Sequence, residues 1–431
     1  MLEVYFESYG CSANYNSTEI MKGLVKQAGL NITSNIDFAD LVVINSCIVK
    51  EPTEEKIRRK VQDLSHAGKK VILAGCMAKL RKKSFLNYDS VYLLGTNHIK
   101  DINNLIQEIV DGTYDTEKYL DNHSEVKVNV SKISDEKYIG INQISEGCLG
   151  TCTYCITRLA KGKLFSYPSE KIIESVKNDV MSGCKEIWIT SQDNASYNSE
   201  MSKDISKDGL VQLLEEIIKI KGNFFVRVGM MNPNNVLKIL PELIEIYKHE
   251  KMFKFLHIPV QSGSNKILKD MKRKYTREDV LKIVNEFKKE IPNIIFSTDV
   301  IVGYPGETKK DFEDTLDLVK QINPEILNRS KFWPRPQTPA EKLKPISKDE
   351  MNKRSLELAN LHLQICKDNQ KKWIGWVGKV LVDKKGFGNT YLARSPEYKL
   401  FAVQSKDKIL GKIVKIKVKS VLPHYLLAIM L

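Results

Sequence analysis

Glu146-Gly147-Cys148-Leu149-Gly150-Thr151-Cys152-Thr153-Tyr154-Cys155 places three cysteines in a CxxxCxxC spacing just after the apolar run Ile139 to Ile144. Three thiolates at this spacing can hold three irons of a 4Fe-4S cube. Such cubes normally take four cysteines, so the fourth iron would stay open to a substrate group. Gly147 and Gly150 let the backbone wrap closely around such a cluster. The competing reading is a structural zinc site, which wants four ligands. The next cysteine is Cys184, and no Cys or His follows at a usual zinc spacing.

Working outward, the run 139–144 reads as the first of six strands, each followed by amphipathic helical sequence. The others are Glu186 to Thr190, Phe224 to Val228, Phe255 to Val260, Ile294 to Val302 and Glu325 to Phe332. Six β/α units over 138–366 predict an incomplete (β/α)6 barrel, and ligands gather at the carboxyl ends of such strands. Residues 1–110 alternate strand and helix in the same way. Leu2 to Glu7, Leu41 to Ile44, Val71 to Ala74 and Val91 to Leu94 are short apolar strands, as expected of an open parallel α/β sheet. Cys11, Cys47 and Cys76 each follow one of these strands. Strand ends of an open parallel sheet converge on one crevice, so the three can meet in space. Three ligands again suggest a cube with one open iron. Two such clusters would place two open irons in one chain.

The polar stretch 111–137 reads as a linker. In 367–431 the pattern changes to five short strands with turn residues between them, which predicts a small β-barrel of the OB type. There Val414, Ile416 and Val418 alternate with Lys415, Lys417 and Lys419, so one face is buried and the other basic. These 65 residues hold 14 basic and 4 acidic side chains, most of the chain's net charge of +14. A small basic domain suggests a polyanion, most plausibly nucleic acid. Trp376, Phe387 and Tyr391 are either core or platforms for unstacked bases.

At 431 residues the chain is too long for one ordinary domain, and its 42% apolar and 28% charged composition suits large cores under a solvated surface. No run approaches the roughly 18 to 20 apolar residues of a membrane span, and the first residues lack the pattern of a signal peptide. A cytoplasmic protein follows. Eight cysteines in such a chain do not make a disulfide scaffold. Cys184 and Cys366 read as ordinary, partly buried thiols.

The CxxxCxxC loop after a first barrel strand resembles the radical S-adenosylmethionine superfamily. With Tyr9-Gly10-Cys11-Ser12-Ala13-Asn14, Asn45-Ser46-Cys47, Leu73 to Ala78, Trp188 to Asp193, Leu256 to Gly263 and Thr298 to Thr308, the resemblance extends over almost the whole chain to the methylthiotransferases. It implies two 4Fe-4S clusters, one on Cys148, Cys152 and Cys155 and one on Cys11, Cys47 and Cys76. S-adenosylmethionine would be held by Gln192 and Asp193, Gln261 and Ser262, and Gly303 and Glu307. It further implies a terminal TRAM domain that binds RNA, an electron donor protein and a sulfur source, with the oligomeric state left open. Gly147-Cys148-Leu149-Gly150 and Phe332-Trp333-Pro334-Arg335-Pro336 resemble the archaeal and eukaryotic branch. That branch places a methylthio group on carbon 2 of N-threonylcarbamoyladenosine beside the tRNA anticodon. Gln337 stands where that branch leads one to expect glycine. Arg335 is a candidate for holding the threonylcarbamoyl carboxylate bidentately, and Lys415, Lys417 and Lys419 for tracking phosphates. His257, at a strand end, would bind substrate or close the barrel mouth. Competing readings are the same chemistry on isopentenyladenosine or a ribosomal protein, and a non-catalytic iron–sulfur RNA-binding protein.

Overall fold

The computed structural model describes residues 2–201 and 209–431. The first sheet holds β1 (Glu3–Ser8), β2 (Asn31–Thr33), β3 (Leu41–Ser46), β4 (Lys70–Gly75) and β5 (Val91–Leu94) in the order β2-β1-β3-β4-β5. Every pairing is parallel. β3 is buried along its whole length, which is why its sequence is a continuous apolar run. Alternate side chains serve opposite faces. Val43 packs under α1 (Ser12–Gln27) and α4 (Ile102–Asp111). Val42 and Ile44 pack under α2 (Glu51–His66) with Ile57 and Val61. The short edge strand β2 was not expected from its sequence, because two of its three residues are polar.

The second unit carries β6 (Ile139–Gln143), β9 (Glu186–Thr190), β10 (Phe225–Val228), β11 (Phe255–His257), β12 (Ile295–Val302) and β13 (Ile326–Lys331). They form two parallel sheets, β10-β9-β6 and β11-β12-β13, linked by a single bridge between Val226 and Met252. One apolar core runs through both, giving an open six-stranded β/α arc. β11 stops at His257 rather than Val260, because Pro259 has no N–H to give to the ladder. The chain rejoins β12 at Gln261, whose φ is 65°. Capping boxes at Thr276 and Thr308 start two of the outer helices. Between β6 and β9, β7 (Ser145–Glu146) pairs with β8 (Phe165–Ser166), closing residues 147–164 into a loop.

The segment 111–137 carries only one short 3-10 turn, yet it is packed rather than free: Tyr119, Glu125, Lys127 and Val128 are buried. In the tail, β14 (Val377–Lys385), β15 (Thr390–Arg394), β16 (Leu400–Gln404), β17 (Ile413–Val421) and β18 (Leu426–Met430) close into a barrel in the order β14-β15-β16-β18-β17. Val380, Val382, Phe401, Val403, Ile416 and Val418 fill it. The tail docks where the β/α strands begin. Lys254 N donates to Pro396 O at 2.9 Å. The Tyr398 ring lies 4.8 Å from that of Phe253 and 4.7 Å from that of Phe255.

Among the described residues, no helix is long and apolar enough to cross a membrane. Phe401 is fully buried against Trp373 and Trp376, so Phe401→Ala will cost the barrel about 3–5 kcal/mol. Urea unfolding followed by tryptophan fluorescence will show it as an earlier transition.

Candidate active site

Each first-domain cysteine sits on a turn built to hold it. Gly10 and Gly75 precede Cys11 and Cys76 with φ of 108° and 90°, which glycine adopts without strain. A Cβ on Gly10 would stand 2.7 Å from Cys47 Cβ and 3.0 Å from its sulfur. The loops are tied by amides. Asn14 Nδ2 donates to Tyr9 O and Ser46 O, both at 2.9 Å, and Asn45 Nδ2 donates to Asn14 O at 2.7 Å. Ser46 Oγ donates to Ala74 O at 2.5 Å and accepts from Met77 N at 3.1 Å. Cys11, Cys47 and Cys76 therefore meet, although 65 positions separate the first from the last, and Cys11 and Cys47 are electrostatic neighbours of Cys76.

The second trio lies in the loop 147–164. Gly147 has φ 77°, and a Cβ there would lie 1.9 Å from Lys163 O, so the loop can close only around glycine. A Cβ on Gly150 would sit 3.2 Å from Cys148 Sγ and 3.7 Å from Cys152 Sγ. The bare Cα leaves room between these sulfurs. Both trios receive donors: Gly150 N to Cys148 Sγ at 3.2 Å, Val49 N to Cys47 Sγ at 3.5 Å, and Arg273 Nη1 to Cys152 Sγ at 3.1 Å. Helix α3 (Cys76–Leu80) packs on α5 (Thr157–Lys161). Cys76 shares an apolar cluster with Ile156 and Ala160, so the helix that begins just after Cys155 leans on the first trio.

The donor sets can be tested against the groups they might hold. Burial pushes the Cys76 thiol up to about 12 and the Cys148 thiol up to about 11, the latter offset in part by the Gly150 N–H. Such thiols stay protonated unless a metal takes the proton's place. A tetrahedral zinc with Zn–S near 2.3 Å holds its sulfurs within about 4 Å of one another. Among the described residues, the one set of three metal-ligating side chains with all donor atoms within 4.8 Å is His98, Asp101 and His123. Neither cysteine trio has all three sulfurs at that spacing, and the bare glycines beside Cys47, Cys148 and Cys152 leave room for a larger group such as a multi-iron cube.

The other strand-end residues divide into those with partners and one without. Asp193 is buried, and its oxygens accept from Asn232 N at 2.9 Å, Asn232 Nδ2 at 3.0 Å and Asn235 Nδ2 at 2.7 Å. Ser262 accepts from Ser264 N at 3.2 Å, and Glu307 accepts from Gly303 N at 3.0 Å and Arg354 Nη1 at 2.8 Å. Gln261 N and O bridge to Asp299 and Ile301. Gln192 Oε1, by contrast, is buried with no partner. His257 Nε2 meets Asp299 Oδ2 at 3.0 Å.

Arg335 is buried and already engaged. Nη1 donates to Glu54 Oε2 at 2.9 Å, and Nη2 donates to Val49 O. It therefore clamps the first turn of α2 to the loop after β13. Gln337 holds φ 62°, the left-handed backbone that makes glycine the expected residue there. Lys415, Lys417 and Lys419 are exposed on β17, and Lys415 pairs across the ladder with the exposed Lys379.

Sequence reasoning missed Arg273, Lys127 and Lys161. Arg273 is hidden in the basic run Lys272-Arg273-Lys274, which reads as surface. Lys127 Nζ meets Glu146 Oε2 at 2.5 Å, and Lys161 Nζ meets Glu146 Oε1 at 2.8 Å, all three side chains buried. Burial alone would raise Glu146, but the two ammoniums outweigh it and hold the carboxyl below the usual carboxylate range.

Comparison with known proteins follows the same three-part division. Residues 3–95 match the Uncharacterized protein family UPF0004, 142–319 the Radical SAM superfamily and 371–431 the TRAM domain. A Pyrococcus horikoshii protein named probable threonylcarbamoyladenosine tRNA methylthiotransferase is 40% identical over 99% of both chains. A Danio rerio protein named threonylcarbamoyladenosine tRNA methylthiotransferase is 33% identical over 99% of this chain and 78% of its own. A solved structure of the radical S-adenosylmethionine methyltransferase TsrM from Kitasatospora setae overlays with a TM-score of 0.57. It is 13% identical over 79% of this chain and 75% of TsrM, a likeness of fold.

Glu54 also accepts from Arg81 Nε at 2.6 Å. Glu54→Gln will leave two guanidiniums facing each other with no counter-charge, at a cost of about 3–5 kcal/mol. Hydrogen exchange will show it as faster exchange in the first turn of α2.

Proposed function

The chain belongs to the threonylcarbamoyladenosine tRNA methylthiotransferase family, and from that premise we propose a residue-level account of how it adds a methylthio group to carbon 2 of N-threonylcarbamoyladenosine in tRNA. It is an enzyme of the radical S-adenosylmethionine class, using S-adenosylmethionine and two 4Fe-4S clusters. Bound in place, these groups supply the radical that opens the C–H bond, the sulfur and the methyl donor.

In this account Cys148, Cys152 and Cys155 hold the radical-forming cluster, and Cys11, Cys47 and Cys76 hold the sulfur-donating one. The observation that carries it is the packing of Cys76 against Ile156 and Ala160, on the chain that leaves Cys155. The short helix α5 joins the second trio to the residues clustered with Cys76, and in this account a substrate carbon faces both sites. Gln192 binds the methionine ammonium, whose N–H groups satisfy the orphaned Oε1. Asp193, Ser262 and Glu307 shape the cofactor loops through the hydrogen bonds they already make. Gln261 and Gly303 supply the strained and tight backbone that lets the cofactor lie close. Arg273 sets its positive charge against Cys152. A substrate carboxylate reaching Arg335 must compete with Glu54, so Arg335 acts first as a clamp between domains.

The basic tail docks at the amino ends of the barrel strands, while the cysteine trios lie at the carboxyl ends. The six residues of β13, at about 3.3 Å each, show that the strands between them run about 20 Å. A polynucleotide arm can span that distance and a free nucleoside cannot. Lys415, Lys417 and Lys419, with Lys379 beside them, contact phosphates. An electron donor protein and a sulfur source complete the partners.

Anaerobic reconstitution will give about eight irons per chain and, with reductant, 5′-deoxyadenosine. Replacing Cys11, Cys47 and Cys76 by Ala will leave cofactor cleavage intact and abolish thiolation of tRNA, read by mass spectrometry of its nucleosides. Thiolation that persists refutes the sulfur-donor role. Replacing Lys415, Lys417 and Lys419 by Ala will reduce the salt slope of tRNA binding by about 1 for each phosphate that is no longer neutralised.

A further inference from the structure

Lys161 closes the short helix after Cys155 and is buried, with a side chain only 3% exposed. An ammonium in that position is costly unless something negative faces it. Glu146 faces it at 2.8 Å, but Glu146 is shared: its other oxygen meets Lys127 at 2.5 Å. Two cations therefore stand on one carboxylate. On the Lys127 side a second carboxylate, Glu125, lies 3.9 Å away. On the Lys161 side the other groups that act on it and can carry negative charge are the sulfurs of Cys76 and Cys11, which would be thiolates only with a cluster bound. The backbone brings them near, since α5, which Lys161 ends, packs on α3, which Cys76 begins, and Ala160 shares an apolar cluster with Cys76. Burial works against the Lys161 charge. Glu146 at 2.8 Å offsets that penalty.

A cube on three thiolates gains one negative charge when it is reduced, and its potential follows local charge, hydrogen bonds to sulfur and burial. A fixed positive charge beside the ligands stabilises the reduced form more than the oxidised one. The effect is large in a site from which water is excluded. We propose that Lys161 is a positioning residue for the first-domain cluster, holding a positive charge against Cys76 and Cys11 that raises the reduction potential of that cluster. The role rests on the reading of Cys11, Cys47 and Cys76 as cluster ligands. It also gives the radical loop a hold on the other cluster, because Glu146, Lys161 and Cys148 belong to one hairpin.

The test uses full-length protein with Cys148→Ala, Cys152→Ala and Cys155→Ala, so that only the first-domain cluster remains, and an EPR-monitored redox titration. Adding Lys161→Met will make reduction at least tenfold less favourable, a downward shift of at least about 59 mV for one electron. Lys161→Arg will keep the original midpoint. Glu146→Gln, whose amide oxygen can still accept from Lys161 while the carboxylate charge that partly cancels it is gone, will shift the midpoint upward. It reports even if Lys161→Met fails to assemble iron. Iron and sulfide analysis accompanies each titration. A triple variant that takes up no iron overturns the reading of Cys11, Cys47 and Cys76, and with it the role of Lys161. An assembled cluster whose midpoint is unmoved by Lys161→Met and Glu146→Gln overturns the role of Lys161 alone.

Discussion

The structure turns on one buried carboxylate with two ammoniums. Glu146 lies two residues before the first cysteine of the loop, Lys161 lies six residues after the last, and Lys127 comes from the segment joining the first domain to the barrel. Lys127 Nζ also donates to Thr96 O, just after β5. A buried ion pair is weak evidence for net stability, since desolvation offsets much of its attraction, but losing one member costs several kcal/mol. That asymmetry makes such a group good at fixing position. With Glu146 satisfied by both lysines, the hairpin β7-β8 has one register, the cysteine loop has fixed ends, and the first domain has one place to sit.

The parts legible in the sequence are those where period and burial agree. β3 and β4 read as continuous apolar runs because helices cover both their faces. The cysteines read as sites because each follows such a run, and strand ends of a parallel sheet converge. What escaped are polar residues whose partners lie far away in the chain. Glu125 and Lys127 sit in a stretch that looks like a solvated linker, yet they are buried because Glu146 lies 19 positions beyond Lys127. Arg335 looks free to take a substrate carboxylate until Glu54, 281 positions earlier, is found on it. Arg273 is hidden among basic neighbours, and the sulfur that makes it significant lies 121 positions away. Local pattern carries no information about such pairs, because the fold alone brings them together.

The same distinction separates two kinds of polar residue around the barrel mouth. Asp193, Ser262 and Glu307 end apolar strands and resemble ligand-binding positions, but each spends its acceptors on nearby backbone or on Asn232, Asn235 and Arg354. These bonds hold the turns in shape. Gln261, at φ 65°, is the strained member of this set, and its N–H and C=O both pair with β12, which over-determines a conformation that costs a non-glycine residue about 1–2 kcal/mol. Gln192 is the opposite case, a carbonyl oxygen left buried and unpaired. A missing hydrogen bond there costs about 1–3 kcal/mol. Asn194 Oδ1, two residues on, and Gln143 Oε1 on the neighbouring strand are bare in the same way, so the carboxyl ends of β6 and β9 carry a group of unpaired acceptors.

A comparable cost is visible on the tail. Lys379 and Lys415 stand directly opposite each other on the exposed face of β14 and β17, and like charges in that relation weaken a ladder by some tenths of a kcal/mol. Folding alone gives no reason to put them there, since the buried face of β17 is satisfied by Ile416 and Val418 whatever lies outside. A polyanion such as tRNA would relieve the repulsion, because phosphates attract both ammoniums. The placement of this barrel then matters as much as its charge. Tyr398 and Pro396 fix it at the amino ends of the β/α strands, the full depth of the barrel away from the sulfurs. The basic barrel and the cysteine trios are thus held at opposite ends of the β/α strands, an arrangement that suits a substrate as long as tRNA.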